Sequence, residues 1–136
     1  MSAERTYRMT LSAPQSDIDG LGHVSNVAYV RWIQEVAIAH SAAVGYDFAR
    51  YEQLGAVFVV RRHEVTYLAP VFGGEEVVLA TWIESFRGVT SDRHTTITRV
   101  SDGKEVVRAV TQWVLVSTES GRPRRIPIEL AASFGV

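Results

Sequence analysis

The chain contains no cysteine. That absence excludes a disulfide framework, a cysteine nucleophile and a thiolate metal site, and it fits a reducing compartment. There is no excess of one charge either. The formal net charge is -1 across 136 residues, so nothing in the balance calls for nucleic acid or a membrane surface. No apolar run approaches the roughly 18 residues that a membrane span needs. The first residues, Met1 to Arg8, are polar and lack the apolar core of a signal sequence. Linkers, repeats and low-complexity tracts are also missing. One soluble domain, residues 1–136, with its own core and a cytoplasmic location is the expectation.

Against these absences, several segments carry strong local signals. Residues 7–11 alternate apolar and polar side chains, as a first strand would. Residues 14–25 form a loop rich in Gly, Asp and Ser. Residues 26–44 hold neither Gly nor Pro, and Gly45 follows as a helix stop. Val27, Val30, Ile33, Ala37, Ser41 and Val44 recur at helical spacing, which predicts a buried seam. Trp32, Val36 and Ile38 widen it. Four β-branched and aromatic runs follow, at 56–69, 75–86, 90–100 and 106–116. Gly73-Gly74, Arg87-Gly88 and Asp102-Gly103 punctuate them, the last pair as a hairpin turn. Consecutive strands with short turns predict an antiparallel meander. The threonine-rich 90–100 run is polar enough to border solvent or a partner. The helix must cover the sheet, which makes the class α+β.

The most chemically loaded stretch is Asp17-Ile18-Asp19-Gly20-Leu21-Gly22-His23-Val24-Ser25-Asn26-Val27-Ala28-Tyr29. Gly20 and Gly22 let the backbone approach a ligand without Cβ interference. Ser25 or Asn26 can cap the helix. The free N–H groups of its first turn face any partly negative oxygen. A carboxylate, an imidazole and an anion site thus lie within one segment. Those are the parts that acyl hydrolysis requires. A carboxylate serves as nucleophile or as base on water, and Asp19 suits either role. The alternative for Asp19 is a turn former bonded to its own backbone. For an extended segment, Asp17 points away from Asp19 and reads as structural, paired with a loop N–H. His23 either polarises a carbonyl and protonates a leaving thiolate, or fixes the loop.

This segment resembles the signature of the 4-hydroxybenzoyl-CoA thioesterase-like branch of the hotdog fold. It is also similar to the D-x-D-x-x-x-H-V-x-N-x-x-Y pattern of acyl-ACP thioesterases. A weaker echo is Val65-Thr66-Tyr67-Leu68-Ala69-Pro70-Val71, which resembles the family's strand-to-turn stretch. The resemblance implies an antiparallel sheet wrapped around one long helix, and a homodimer or homotetramer with its site between subunits. It implies acyl-CoA or acyl-carrier-protein thioester hydrolysis without a cofactor. Residue by residue, it assigns Asp19 as the catalytic acid, His23 as the matching histidine and Asn26 to the oxyanion site. Gly22, Val24, Ser25 and Tyr29 then surround the substrate. In one departure, Leu21 stands where plant acyl-ACP enzymes carry asparagine.

Other residues carry weaker signals. Arg122, Arg124 and Arg125 form a basic run able to meet the phosphates of coenzyme A, or to stand as a solvated tail. Glu35 lies nine residues after Asn26, about 13 Å along a helix, too far to share a reaction centre with it. Ser25 does not sit in a G-x-S-x-G elbow. His23, His40, His63 and His94 show no metal-ligand spacing, so no metal is expected. Two other readings remain open. One is a hotdog hydratase or dehydratase, against which the lack of an H-F-P-type segment counts. The other is a non-catalytic acyl-CoA-binding module.

Overall fold

Helix α1, Asn26–Ala43, begins where the sequence supplies a cap. The Ser25 Oγ accepts the Ala28 N–H at 3.2 Å, satisfying one of the orphan donors of the first turn. The helix ends before Gly45, whose φ of 99° few other residues adopt. The computed structural model describes residues 5–136, so the first four residues of the polar start lie outside it.

Five strands follow in the order the periodicities predict: β1 Tyr7–Ser12, β2 Ala56–Tyr67, β3 Glu76–Arg87, β4 Thr90–Arg99 and β5 Glu105–Ser117. Two short helices were not expected, α2 Phe48–Leu54 and α3 Ile128–Ser133. All strand pairs are antiparallel, and the sheet order is β1-β3-β4-β5-β2. The expected meander therefore holds for β3, β4 and β5 only. β2 pairs with β5 at the far edge, because the 68–75 connection is long enough to cross the sheet. The threonine-rich run is a correction of a second kind. It forms β4, the central strand, and Ser91, Arg93, Thr95 and Ile97 alternate as its buried face. Its hydroxyls tolerate burial because they find partners, such as Thr95 with Thr81 at 3.2 Å.

The buried stripe of α1 also differs in phase from the expected one. Tyr29, Trp32, Ile33, Val36, Ala37, His40 and Ser41 face inward, while Val27 is 78% exposed. Two aromatic rings bury more apolar area than a seam of valines, and so they set the rotation. This stripe packs on Val77, Leu79, Ile97, Val106 and Val107. A second cluster closes the opposite end, with Leu130 and Phe134 from the region of α3 against Tyr46 and Ile83. No helix of the described residues is long and apolar enough to cross a membrane.

Candidate active site

The loop before α1 is fastened at both ends. The Ala13 N–H donates to the Glu75 carbonyl at 2.9 Å, and the Ser25 N–H to the Asp17 carbonyl at 2.9 Å. The Asp17 carboxylate is buried, and its Oδ2 accepts from the Arg31 guanidinium and from the Trp32 indole N–H at 3.0 Å. The bond from Arg31 holds its pKa below the ordinary carboxylate value. Asp17 is structural, although residues 15–17 form a short 3-10 turn rather than the extended segment from which alternation would follow. Its carboxylate partners are helix side chains rather than a loop N–H, because α1 turns Arg31 and Trp32 back over the loop.

Asp19 sits exposed at the loop tip. Its Oδ1 accepts from the N–H groups of Leu21 at 2.9 Å and His23 at 3.3 Å. Its own N–H reaches the His23 carbonyl at 2.7 Å, and Gly22 N–H returns to the Asp19 carbonyl at 3.1 Å. The tight return needs φ of +83° at Gly22. Oδ1 thus does what a turn former does, and Oδ2 takes no part in these bonds. Leu21 projects into solvent beside it.

Behind this tip lies a groove of about 290 Å³, lined by His23, Val24, Asn26 and Tyr29 on one side. Its other wall is Tyr67, Leu68, Ala69 and Pro70, where β2 leaves the sheet. The sequence signal for that wall was the fainter strand-to-turn resemblance at 65–71. The His23 ring stands edge-on to Phe72, with centroids 5.0 Å apart, and makes no hydrogen bond to a described side chain. Val24 and Tyr29 reach the groove from the core, both 3% exposed. The Val24 N–H donates to Val71 at 2.8 Å. The Tyr29 ring leans on Tyr67 at 5.6 Å. Burial raises the pKa of the Tyr29 hydroxyl, which lies beside the Val71 backbone without closing a full hydrogen bond.

The first turn of α1 completes the groove. Ser25 Oγ is committed to the cap, and the Tyr29 N–H bonds the Ser25 carbonyl at 3.3 Å. The N–H groups of Asn26 and Val27 have no protein acceptor among the described residues. The structure therefore brings together His23, Val24, Asn26 and Tyr29, with Ser25 as their support. Asp19 stands at the rim of the same loop rather than among the lining residues. Trp32 belongs to the core, and Glu35 is exposed in an ion pair with Arg31 at 3.2 Å.

The three arginines do not form one cationic cluster. Arg124 Nη1 donates to the Leu54 carbonyl at 2.6 Å, and its backbone N–H to Leu115 at 2.8 Å. It ties the C-terminal segment to the end of α2, because the segment is extended there and Arg124 turns toward the protein. Arg122 and Arg125 are exposed. All three lie at the Ala56 end of β2, where Val116 bridges to Pro123, whereas the groove is at the Tyr67 end. Within one chain they do not approach the groove.

Comparison with known proteins gives one sequence family. The profile of the thioesterase-like superfamily matches residues 13–134. YneP of Bacillus subtilis (strain 168), provisionally named an acyl-CoA thioesterase, is 25% identical over 108 residues, 79% of this chain and 78% of that one. Among solved structures, the hypothetical protein SAV2348 from Staphylococcus aureus in complex with CoA superposes with a TM-score of 0.89 at 15% identity. It covers 96% of this chain and 82% of its own. Slr0204, a 1,4-dihydroxy-2-naphthoyl-CoA thioesterase from Synechocystis, gives 0.87 at 14% identity, with 96% of both chains covered. These likenesses establish the hotdog fold that the motif implied.

Proposed function

The chain belongs to the thioesterase-like superfamily, and from that premise we propose that it hydrolyses acyl-CoA thioesters to a free acid and a thiol, residues 1–136 acting as one domain. The observation that carries this reading is the groove. His23 and Asn26 line a space able to hold a thioester carbonyl, and the unbonded N–H groups of Asn26 and of Val27, the next residue of the same helix turn, are the donors offered beside it. The N–H pair would receive the oxyanion of the tetrahedral intermediate. One such donor typically contributes about 2.7–4 kcal/mol in the transition state. Oδ2 of Asp19 is the oxygen available to attack, or to take a proton from water, while Oδ1 holds the carboxylate in place. His23 polarises the carbonyl or delivers a proton to the departing thiolate. The names of YneP, Slr0204 and the CoA complex of SAV2348 support an acyl-CoA substrate; an acyl-carrier protein presents the same thioester.

A second copy of the chain completes the site. β2 is an unpaired edge in the sheet order, and exposed edges invite pairing. Two identical edges related by a two-fold axis pair antiparallel. That pairing brings the Ala56 end of one β2, with Arg122 and Arg125, toward the Tyr67 end of the other, where the groove lies. A homodimer, or a homotetramer built from it, would place those cations near the nucleotide of coenzyme A.

One observation favours a second reading. The two amide bonds to Asp19 Oδ1 are also what a purely structural turn makes, and a protein so built would bind acyl-CoA without cleaving it. Replacing Asp19 by Asn separates the two, with free-thiol release from an acyl-CoA panel as the assay. A positioned acid–base group contributes about 10²–10⁴-fold. A fall in kcat of that size at unchanged substrate binding supports catalysis. A loss below tenfold, or no thiol release by the unaltered protein, sinks it.

A further inference from the structure

A second cavity opens at the other end of α1, against residues Ala37 to Ala42. It measures about 400 Å³, within the range of about 300–1,000 Å³ typical of small-molecule sites. Most of its wall is apolar, with Ile38, Phe48, Val57, Phe58, Phe86 and Phe134. Arg93 of β4 enters it and is only 4% exposed. Its Nη1 donates to His40 Nδ1 at 2.9 Å and to Thr81 Oγ1 at 3.0 Å. The face of Phe134 lies 5.6 Å from the guanidinium carbon.

Every partner of this guanidinium is neutral. Arginine only donates, so His40 Nδ1 must accept and its ring proton sits on Nε2. Burial, and then the charge of Arg93, hold the pKa of His40 down to about 4. Burial also lowers that of Arg93, to about 10, and it stays cationic at neutral pH. No carboxylate forms an ion pair with it among the described residues. Asp47 alone among the lining residues is acidic; it is exposed, and its Oδ1 caps α2 through the Arg50 N–H at 2.9 Å. Arg93 Nε and Nη2 make no hydrogen bond to described residues. Trp113 lines the same cavity and keeps its indole N–H buried without an acceptor. A buried cation without a counter-ion is unfavourable, and unmatched donors beside an apolar void describe a ligand with one anionic end.

We infer that this cavity is a binding site for an amphipathic monocarboxylate, a free acid with an apolar body, whose carboxylate is the counter-ion of Arg93. Guanidinium and carboxylate match as a two-pronged pair, and the phenylalanines take the hydrocarbon. Such acids belong to the class of product that the proposed hydrolysis releases. The inference itself rests on the cavity alone and is measured with no thioester present.

The test is titration of the unaltered protein with decanoate and with decanol, below their aggregation limits, read by calorimetry and tryptophan fluorescence. Decanoate should bind saturably at one site per chain and about tenfold or more tighter than decanol, the usual strength of a hydrogen bond to a charged group. Arg93→Met should weaken decanoate to the level of decanol and leave decanol within about twofold. Ala42→Trp, at an exposed position on the cavity wall, should abolish both by filling the space, and it keeps the test alive if Arg93→Met does not fold. Three results would overturn the inference. They are no saturable decanoate binding, equal affinity for acid and alcohol, and decanoate affinity unchanged in either variant.

Discussion

Asp17→Asn should loosen the loop before α1 without removing any group from the groove. The asparagine keeps the shape and one acceptor for the Trp32 indole, but the ion pair with Arg31 is lost. A hydrogen bond involving a charged partner contributes about 1.5–3 kcal/mol, against about 0.5–1.5 for a neutral one. The Arg31 side chain is 49% exposed, so water screens part of the difference. About 1–2 kcal/mol is the expected loss at neutral pH. For a chain of 136 residues, an unfolding entropy of about 2.1 cal/mol/K per residue converts this to a Tm about 4–7 °C lower. The pH dependence gives an independent check. The Asp17 pKa is lower in the folded state than its ordinary 3.8, so its contribution is full above that value. It disappears as pH falls through the folded value. Urea unfolding of both proteins should therefore show a gap that is constant above about pH 5 and narrows below it. Equal midpoints at neutral pH, or a gap that does not narrow in acid, would refute the assignment.

Arg124→Ala should lower stability by about 1 kcal/mol through its bond to Leu54 and leave KM for acyl-CoA unchanged. In contrast, joint replacement of Arg122 and Arg125 by alanine should raise KM for acyl-CoA and leave kcat, because remote binding lost equally from ground and transition states appears only in KM. A short acyl-thiol substrate without the nucleotide serves as the control; an equal rise there would contradict nucleotide contact. His40, lowered from 6.5 to about 4 on folding, binds more protons when unfolded between those values. Stability should be full above pH 6.5 and decline toward about pH 4, by on the order of 3 kcal/mol. His40→Asn keeps an acceptor for Arg93 and should flatten that decline in urea-midpoint profiles.

The parts of the fold readable from sequence are those with local causes. Ser25 and Gly45 bracket α1, and Asp102-Gly103 turns β4 into β5, each through a backbone rule that acts within a few residues. The helical period picks out Ile33, Ala37 and Ser41, which are buried, but Val27 and Val30 fit it as well as Tyr29 does, and only the packed sheet decides between them. Asp47 and Gly55 mark the ends of α2, but seven residues carry too little periodicity to read. The position of β2 depends on pairs such as Ala56 with Ser117, which no local pattern encodes. The site divides in the same way. His23, Val24 and Asn26 lie in one motif, whereas the Tyr67–Pro70 wall and the burial of Arg93 arise from distant pairings.

The placement of β2 has a kinetic consequence. Its partner strand is β5, so Tyr67 meets Val107 and Ala56 meets Ser117 only after a long loop has closed. The β3–β4–β5 hairpins need only short turns. Loop closure is entropically costlier for distant partners, and topologies rich in them fold more slowly. One wall of the groove is the exit of β2, so the groove cannot exist before this pairing. During refolding, recovery of thiol release should lag behind recovery of the β-sheet circular-dichroism signal, and the interval between them measures how late β2 docks.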